Sequence, residues 1–174
     1  MCCHKIKMAD DKCQLELVKK ASVKSCDVFG ITELYPEQQK AIAAFVLGKD
    51  VFLNLPTGYG KSAVFQMVPL VHAEMAAMGK TEFSLEPIVI VISPLISLMD
   101  DQRNFLNGIG VKAGCIGNDE ADSGAIERGK YRIVYTSPES LLGNRRWRAM
   151  LTSETYQRNL IGIAVDEAHV INHW

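Results

Sequence analysis

The sequence lacks any apolar segment close to the roughly 20 residues that a membrane-spanning helix needs. Its longest apolar stretch, residues 87–98, is interrupted by Ser93 and Pro94 and is more typical of a buried strand followed by a turn. Residues 1–11 also lack the apolar core of a secretory signal. We therefore predict a protein of the cytosol or nucleus, with no segment inserted in a membrane.

Regular cysteine spacing and an excess of one charge are also missing. The chain has five cysteines without a paired Cys-x-x-Cys motif, namely Cys2, Cys3, Cys13, Cys26 and Cys115. This pattern argues against a zinc site in the chain and indicates reduced thiols rather than disulfides. With 19 basic and 20 acidic side chains, the formal net charge is −1. A strongly basic face is not predicted, although a local basic patch is compatible with this balance.

Segments with the pattern of strands alternate with helical segments along the 174 residues, a length that suits one compact domain. The predicted strands are residues 51–55, 88–92, 111–116, 131–135 and 160–165. The predicted helices are residues 14–26, 36–47, 61–78, 95–106, 121–128 and about 138–151. The β-branched run at 88–92 suits a central parallel strand that is buried on both faces. This alternation predicts an α/β fold in which helices cover both faces of a parallel sheet.

A glycine-bearing loop between the first predicted strand and the helix at 61–78 has the pattern of a phosphate-binding loop. Its candidate ligand-binding residues are Thr57, Gly58, Gly60, Lys61 and Ser62. Glycines let backbone N–H groups turn toward phosphate, and the N-terminus of the following helix favours the same anion. The lysine would reach the β- and γ-phosphates of ATP, and the serine hydroxyl would bind Mg²⁺. Because Leu55 replaces the first glycine of the strict pattern, a chance glycine turn is the alternative interpretation.

Two adjacent carboxylates, Asp166 and Glu167, follow the predicted strand at 160–165. Ligands of open α/β sheets bind at the carboxyl ends of the strands, where the phosphate-binding loop is also expected. Asp166 is suited to hold Mg²⁺, commonly through water, and Glu167 to orient and deprotonate an attacking water molecule. An ordinary solvated acidic strand end is the alternative. Together with the loop, these carboxylates predict one triphosphate site shared with Lys61.

Five segments, taken in order, resemble the motifs of superfamily 2 helicases and most closely those of the RecQ-like DNA helicases. They are Phe29-Gly30 with residues 35–38, then residues 55–62, 93–102, 135–139 and 166–169. The segment at 93–102 is the most specific, since DEAD-box RNA helicases carry a different sequence there. The resemblance implies that residues 28–174 form a RecA-like P-loop NTPase domain, the first lobe of a helicase motor. Residues 1–27 would be a helical extension.

The resemblance also implies roles for single residues. Gln38 would recognise adenine, for which an amide is suited because it donates and accepts at once. His169 would couple the nucleotide state to the rest of the motor. The residues implied to line the track of one nucleic-acid strand are Ser93, Pro94, Thr136, Ser137 and Trp174. Helix capping is the alternative explanation for Ser93 and Pro94. Ile31 and Tyr35 depart from the family pattern, and Tyr35 is a candidate to stack on the base.

The implied activity is ATP-driven DNA strand separation in the nucleus, with ATP and Mg²⁺ as cofactors and DNA as the partner. Because the chain stops at Trp174, we expect a fragment or truncated product without the second lobe, and little unwinding by these residues alone. The alternatives are an RNA helicase of related architecture and a non-catalytic half-motor that binds a partner. The presence of Lys61 and Glu167 argues against the half-motor. The basic segment at 145–148 is interpreted as a solvated helix face that anchors Trp147 in the core.

Overall fold

The chain divides into two compact units, Met1–Leu85 and Glu86–Trp174. The computed structural model describes the backbone of residues 3–117 and 120–168 and the side chains of residues 13–117 and 122–168. His169 and Trp174, for which roles are predicted above, lie outside the described residues. Among the helices that are described, none is long and apolar enough to cross a membrane.

From residue 3 onward, the first unit contains three helices: α1 (Cys3–Phe29), α2 (Pro36–Val46) and α3 (Lys61–Ala77). Each packs against the other two. The three predicted helices are confirmed, and α1 extends beyond the predicted residues at both ends. Pro36 occupies the first turn of α2, where a missing N–H has no cost because no intrahelical partner exists there. The buried residues of this unit include Val18, Ala21, Ile42, Met67, Val71 and Met75.

Residues 51–55, which the sequence predicts to be a buried strand, form no strand in the structure, so this prediction is wrong. Phe52 is 88% exposed and Val51 is 39% exposed, so the segment is not buried either. A strand needs a neighbouring strand for its backbone hydrogen bonds. The described part of Met1–Leu85 is helix, turn and loop, so the segment has no such neighbour within its own unit.

The second unit is built on a four-stranded parallel sheet with the strand order β2-β3-β1-β4. Its strands are β1 (Ile88–Ile92), β2 (Ala113–Cys115), β3 (Ile133–Thr136) and β4 (Leu160–Val165). The bounds of β1 and β4 match the predicted strands, whereas β2 and β3 differ from them at their ends. The central position of β1 explains its unbroken β-branched sequence, because neither face of this strand is left to solvent.

The described residues of this unit form five helices: α4 (Ile96–Gly108), α5 (Glu120–Glu127), α6 (Pro138–Gly143), α7 (Arg145–Leu151) and α8 (Glu154–Asn159). The prediction of one continuous helix at about 138–151 is wrong, because this segment forms two helices, α6 and α7. Asn144 separates them, since its side-chain oxygen accepts the Arg146 N–H at 2.9 Å and caps α7. Helix α8, which begins after the cap residue Ser153, was not predicted from the sequence.

Helices cover both faces of the sheet, as predicted. On one face, Ile88 and Ile90 of β1 belong to a buried cluster with Trp147 and Tyr156. The burial of Trp147 confirms the interpretation of the basic segment around it. On the other face, α4 packs against β2 and β3 and buries its own Met99. The carboxyl ends of the strands therefore emerge between two helical layers.

Candidate nucleotide-binding site

The loop that precedes α3 has a backbone that only glycine adopts easily. Gly58 has a φ of 85° and Gly60 a φ of 66°, both in the left-handed region. Gly60 is the N-cap of α3, and no described side chain caps this helix. The N–H groups at the start of α3 are thus not engaged by a cap side chain. A helix N-terminus of this kind is suited to bind a phosphate.

The ammonium group of Lys61 lies against the same loop. Its Nζ donates to the carbonyl oxygens of Leu55 at 2.9 Å and of Pro56 at 3.3 Å. These bonds use two of the three ammonium donors. Phosphate oxygens are charged and therefore stronger acceptors than neutral carbonyls. Lys61 is in a position to exchange the loop carbonyls for phosphate, with the half-buried Ser62 next to it and the exposed Thr57 earlier in the loop.

Gln38 is buried, 5% exposed, and its amide joins two parts of the first unit. Its Nε2 donates to the carbonyl oxygens of Tyr59 at 2.9 Å and Gly60 at 3.2 Å. Its Oε1 accepts the N–H of Tyr35 at 2.9 Å. Both amide hydrogens are therefore used by the phosphate-binding loop, and recognition of adenine would require at least one exchange. The role of Gln38 in adenine recognition stays a prediction.

Two tyrosines form an aromatic pair beside the loop. The ring centroids of Tyr35 and Tyr59 lie 5.3 Å apart, with an angle of 35° between the ring planes. Tyr35 is 54% exposed and Tyr59 is 46% exposed, so each ring retains accessible surface. Tyr35 was predicted from the sequence as a stacking residue, whereas Tyr59 was not. Its position between the two loop glycines was the available signal.

The two carboxylates follow β4 as predicted. The backbone N–H of Asp166 donates to the carbonyl of Ile92 at 2.9 Å and so continues the pairing with β1. Oδ1 of Asp166 accepts the N–H of Glu167 at 3.0 Å. Glu167 has a φ of 53°, the left-handed region, which costs a residue other than glycine about 1–2 kcal/mol. Strain of this kind is concentrated at functional sites.

The side chain of Gln102 reaches the Asp166 carboxylate, and the hydroxyl of Tyr135 reaches Gln102. No role at this site was predicted for either residue from the sequence. Nε2 of Gln102 donates to Oδ2 of Asp166 at 3.4 Å, a long hydrogen bond. The hydroxyl of Tyr135 donates to Oε1 of Gln102 at 2.9 Å. Gln102 is the last residue of the segment at 93–102, and Tyr135 is the first residue of the segment at 135–139. Both segments resemble helicase motifs.

Four of the five residues predicted to line a nucleic-acid track, all except Trp174, lie at the ends of β1 and β3. The N–H of Ser93 donates to the carbonyl of Thr136 at 3.0 Å. Ser93 is 2% exposed and Thr136 is fully buried, while Pro94 and Ser137 are half-buried. The hydroxyl of Ser137 accepts the N–H of Ser140 at 3.1 Å and caps α6, which is ordinary turn chemistry. Contact with a nucleic acid stays a prediction for all four residues.

A magnesium ion fits the chemistry of Asp166. Each carboxylate oxygen has two acceptor positions, and the hydrogen bonds from Gln102 and Glu167 use one on each. Among the described residues, no group of three or more His, Cys, Asp or Glu is arranged to hold a metal. That is compatible with Mg²⁺, which in nucleotide sites commonly binds one or two protein groups, phosphate oxygens and water.

The chain belongs to the DEAD/DEAH box helicase family, whose sequence model matches residues 35–174. Proteins of this family bind ATP and nucleic acid. The helicase class predicted from the sequence is confirmed.

Three similar proteins are the following. ATP-dependent helicase SGS1 of Saccharomyces cerevisiae is 34% identical over 158 residues, which are 85% of this chain and 10% of SGS1. The bifunctional 3'-5' exonuclease/ATP-dependent helicase WRN of Mus musculus is 36% identical over 149 residues, 84% of this chain and 10% of WRN. R290 of Acanthamoeba polyphaga mimivirus, provisionally named an ATP-dependent RNA helicase, is 33% identical over 149 residues, 83% of this chain and 24% of R290. The chain therefore spans only a small part of each relative.

Proposed function

We propose that this chain is the ATP-binding lobe of a RecQ-like DNA helicase, which couples ATP hydrolysis to the separation of DNA strands. Residues 28–174 would be the ATP-binding domain and residues 1–27 an extension. The proposal depends on one observation: Gly58 and Gly60 adopt left-handed backbone conformations in the loop that leads into Lys61 at the start of α3. This loop lies inside the segment that the family model matches.

In this proposal the first unit binds the nucleotide. Lys61 exchanges the two loop carbonyls for the β- and γ-phosphates, and Thr57, Gly58 and Gly60 shape the loop around them. Gln38 reads the adenine edge after it releases a carbonyl of the loop. The exposed rings of the tyrosine pair supply the flat apolar surface on which a base stacks.

The carboxylates of the second unit would supply the remaining chemistry. Ser62 and Asp166 would hold Mg²⁺, which neutralises charge that develops on the transferred phosphoryl group. Glu167 would orient the attacking water molecule and accept its proton. His169 would couple the nucleotide state to movement of the motor.

DNA is the proposed partner, contacted along Ser93, Pro94, Thr136, Ser137 and Trp174. The names of SGS1 and WRN give both as ATP-dependent helicases. Hydroxyls and backbone N–H groups at strand ends are suited to phosphate contacts, which fix the position of a strand without reading its sequence. A nuclear location follows from action on chromosomal DNA.

The loop assignment is tested by titration of the chain with a fluorescent ATP analogue and Mg²⁺. The Lys61→Ala variant should bind at least about tenfold more weakly, because a hydrogen bond to a charged group contributes roughly 1.5–3 kcal/mol. Lys49→Ala is the matched control, since Lys49 is an exposed lysine just after the turn that follows α2. Equal affinities of wild type and Lys61→Ala would refute the assignment.

An RNA helicase is the second candidate, favoured by the similarity to R290. Fluorescence anisotropy with single-stranded DNA and RNA of equal length and sequence separates the two at one fixed salt concentration, because phosphate contacts depend strongly on salt. Tighter binding of DNA supports the leading proposal. Tighter binding of RNA, strengthened by Mg²⁺-ATP, would replace it with the alternative.

A further inference from the structure

We propose that Gln102 and Tyr135 are positioning residues that fix the orientation of the Asp166 carboxylate for a Mg²⁺-nucleotide complex. The inference rests on the proposed function, because it takes Asp166 as the residue that binds Mg²⁺. It adds two residues, neither of which touches the nucleotide, to the machinery of the acidic motif. All three residues belong to the second unit.

The register of the sheet places the side chains of Tyr135 and Asp166 on the same face. Val91 of β1 is aligned with Tyr135 of β3 and with Ala164 of β4. Aligned residues of neighbouring strands point to the same face, and so does the residue two positions further along. Tyr135 and Asp166 therefore project toward the face that α4 covers, and α4 carries Gln102.

The chemistry of the three groups fixes the direction of the hydrogen bonds. A carboxylate only accepts, so the amide nitrogen of Gln102 must face Asp166, as it does at 3.4 Å. The amide oxygen then faces Tyr135, whose hydroxyl must be the donor in the 2.9 Å bond. The donors form a directed chain from the phenol to the carboxylate, in which each bond polarises the next.

This chain restricts a torsion that is otherwise soft. The χ2 torsion of an aspartate is broad, so a free carboxylate samples many orientations. In Asp166, one oxygen accepts from Gln102 and the other from the N–H of Glu167, which holds the carboxylate plane at both ends. The remaining acceptor positions point in fixed directions. Partners behind a ligand improve metal binding in this way without touching the metal.

Burial makes Tyr135 a dependable anchor for the chain. It is 1% exposed, so bulk water does not compete for its hydroxyl. A buried hydroxyl is nearly always hydrogen-bonded, and here a side-chain acceptor sits within reach. The phenol thus holds the amide of Gln102 in one orientation, with its nitrogen toward Asp166.

The test is the affinity of the 174-residue chain for Mn²⁺, used as a probe for Mg²⁺, in the presence of ATP. Free Mn²⁺ is measured by electron paramagnetic resonance, and ATP affinity without metal is measured separately. Tyr135→Phe should weaken Mn²⁺ binding about three- to tenfold, the size of one lost hydrogen bond. Gln102→Met, which keeps the length of the side chain, should weaken it at least as much. Metal-free ATP affinity should not change.

Tyr131→Phe is the matched control, since the Tyr131 hydroxyl also donates to a carboxylate, that of Asp122, at 2.8 Å. It should leave Mn²⁺ affinity unchanged. In the double variant, Tyr135→Phe should add nothing to Gln102→Met, because the hydroxyl acts only through the amide. Additive losses, or equal effects of Tyr135→Phe and Tyr131→Phe, would overturn the inference.

The proposed function fails separately from this inference. If the wild-type chain binds no nucleotide, or binds it equally well with Lys61→Ala, both are overturned. If wild type binds Mn²⁺-ATP in a Lys61-dependent manner but Gln102→Met binds the metal as tightly as wild type, only the positioning role is lost. Circular dichroism spectra of the variants exclude unfolding as the cause of any loss.

Discussion

Replacement of Gly60 by alanine tests the link between Gln38 and the phosphate-binding loop. Two separate penalties apply at this position. The φ of Gly60 is 66°, a conformation that an L side chain rarely adopts, and a Cβ there would lie 2.9 Å from Nε2 of Gln38. At Gly58 the φ is 85°, but a Cβ would meet nothing within 4 Å. The pair of glycines therefore separates backbone strain from the loss of a specific contact.

The magnitudes follow from these contacts. Alanine in the left-handed region costs about 1–2 kcal/mol, which is the whole effect expected for Gly58→Ala. At Gly60 the amide of Gln38 must also withdraw and give up two hydrogen bonds, each contributing about 0.5–1.5 kcal/mol. Gly60→Ala should therefore lower the free energy of unfolding by about 2–5 kcal/mol, the sum of the two penalties.

Urea unfolding followed by far-ultraviolet circular dichroism is the suitable assay. Tryptophan fluorescence is not, because both tryptophans, Trp147 and Trp174, lie outside the first unit. In a Gln38→Ala background, Gly60→Ala should cost no more than Gly58→Ala, since the obstructing amide is gone. A persistent difference between the two glycine variants in that background would refute the contact as the cause. Equal costs in the wild-type background would show that the contact does not form in solution.

Two further predictions concern buried groups. Burial lowers the pKa of His72 from 6.5, so the folded state binds fewer protons than the unfolded state, and stability should fall as the pH drops below about 6.5. His72→Gln should reduce this loss, which thermal unfolding at several pH values measures and which cannot exceed about 1.4 kcal/mol per pH unit for one proton. Tyr156→Phe should lower the free energy of unfolding by about 1 kcal/mol, because the hydroxyl donates to the carbonyl of Ile126 at 2.9 Å. An unchanged urea midpoint would contradict that expectation.

The strands that the sequence predicted best carry their own signal. β1 is an unbroken β-branched run, so its burial is readable. β4 is an apolar run that ends in two carboxylates, so its boundary is readable, although none of its residues is fully buried. Helix starts were also readable where a proline marks the first turn, as at Pro36 and Pro138. Each of these signals is local. In each case the local sequence favours the same secondary structure that the surrounding fold stabilises.

Two of the features that the sequence did not predict involve partners that are distant in sequence. Residues 51–55 have a strand-like composition, but pairing requires a second strand, which composition does not reveal. The link between Gln102 and Asp166 joins residues 64 positions apart. The sequence indicates only which alternating set of strand positions Tyr135 and Asp166 each belong to. That information shows that the two side chains share a face of the sheet only when the strand register is known.

The hydrogen bonds of the loop also limit how tightly a nucleotide can bind. Lys61 and Gln38 already donate to carbonyl oxygens, so a ligand gains only the difference between its own acceptors and those carbonyls. For Lys61 the difference is favourable, because a phosphate oxygen is charged and a carbonyl is not. For Gln38 the exchange is between two neutral acceptors and contributes little net affinity. The phosphates should therefore supply most of the binding energy, while Gln38 should serve mainly to distinguish adenine from bases that present other groups.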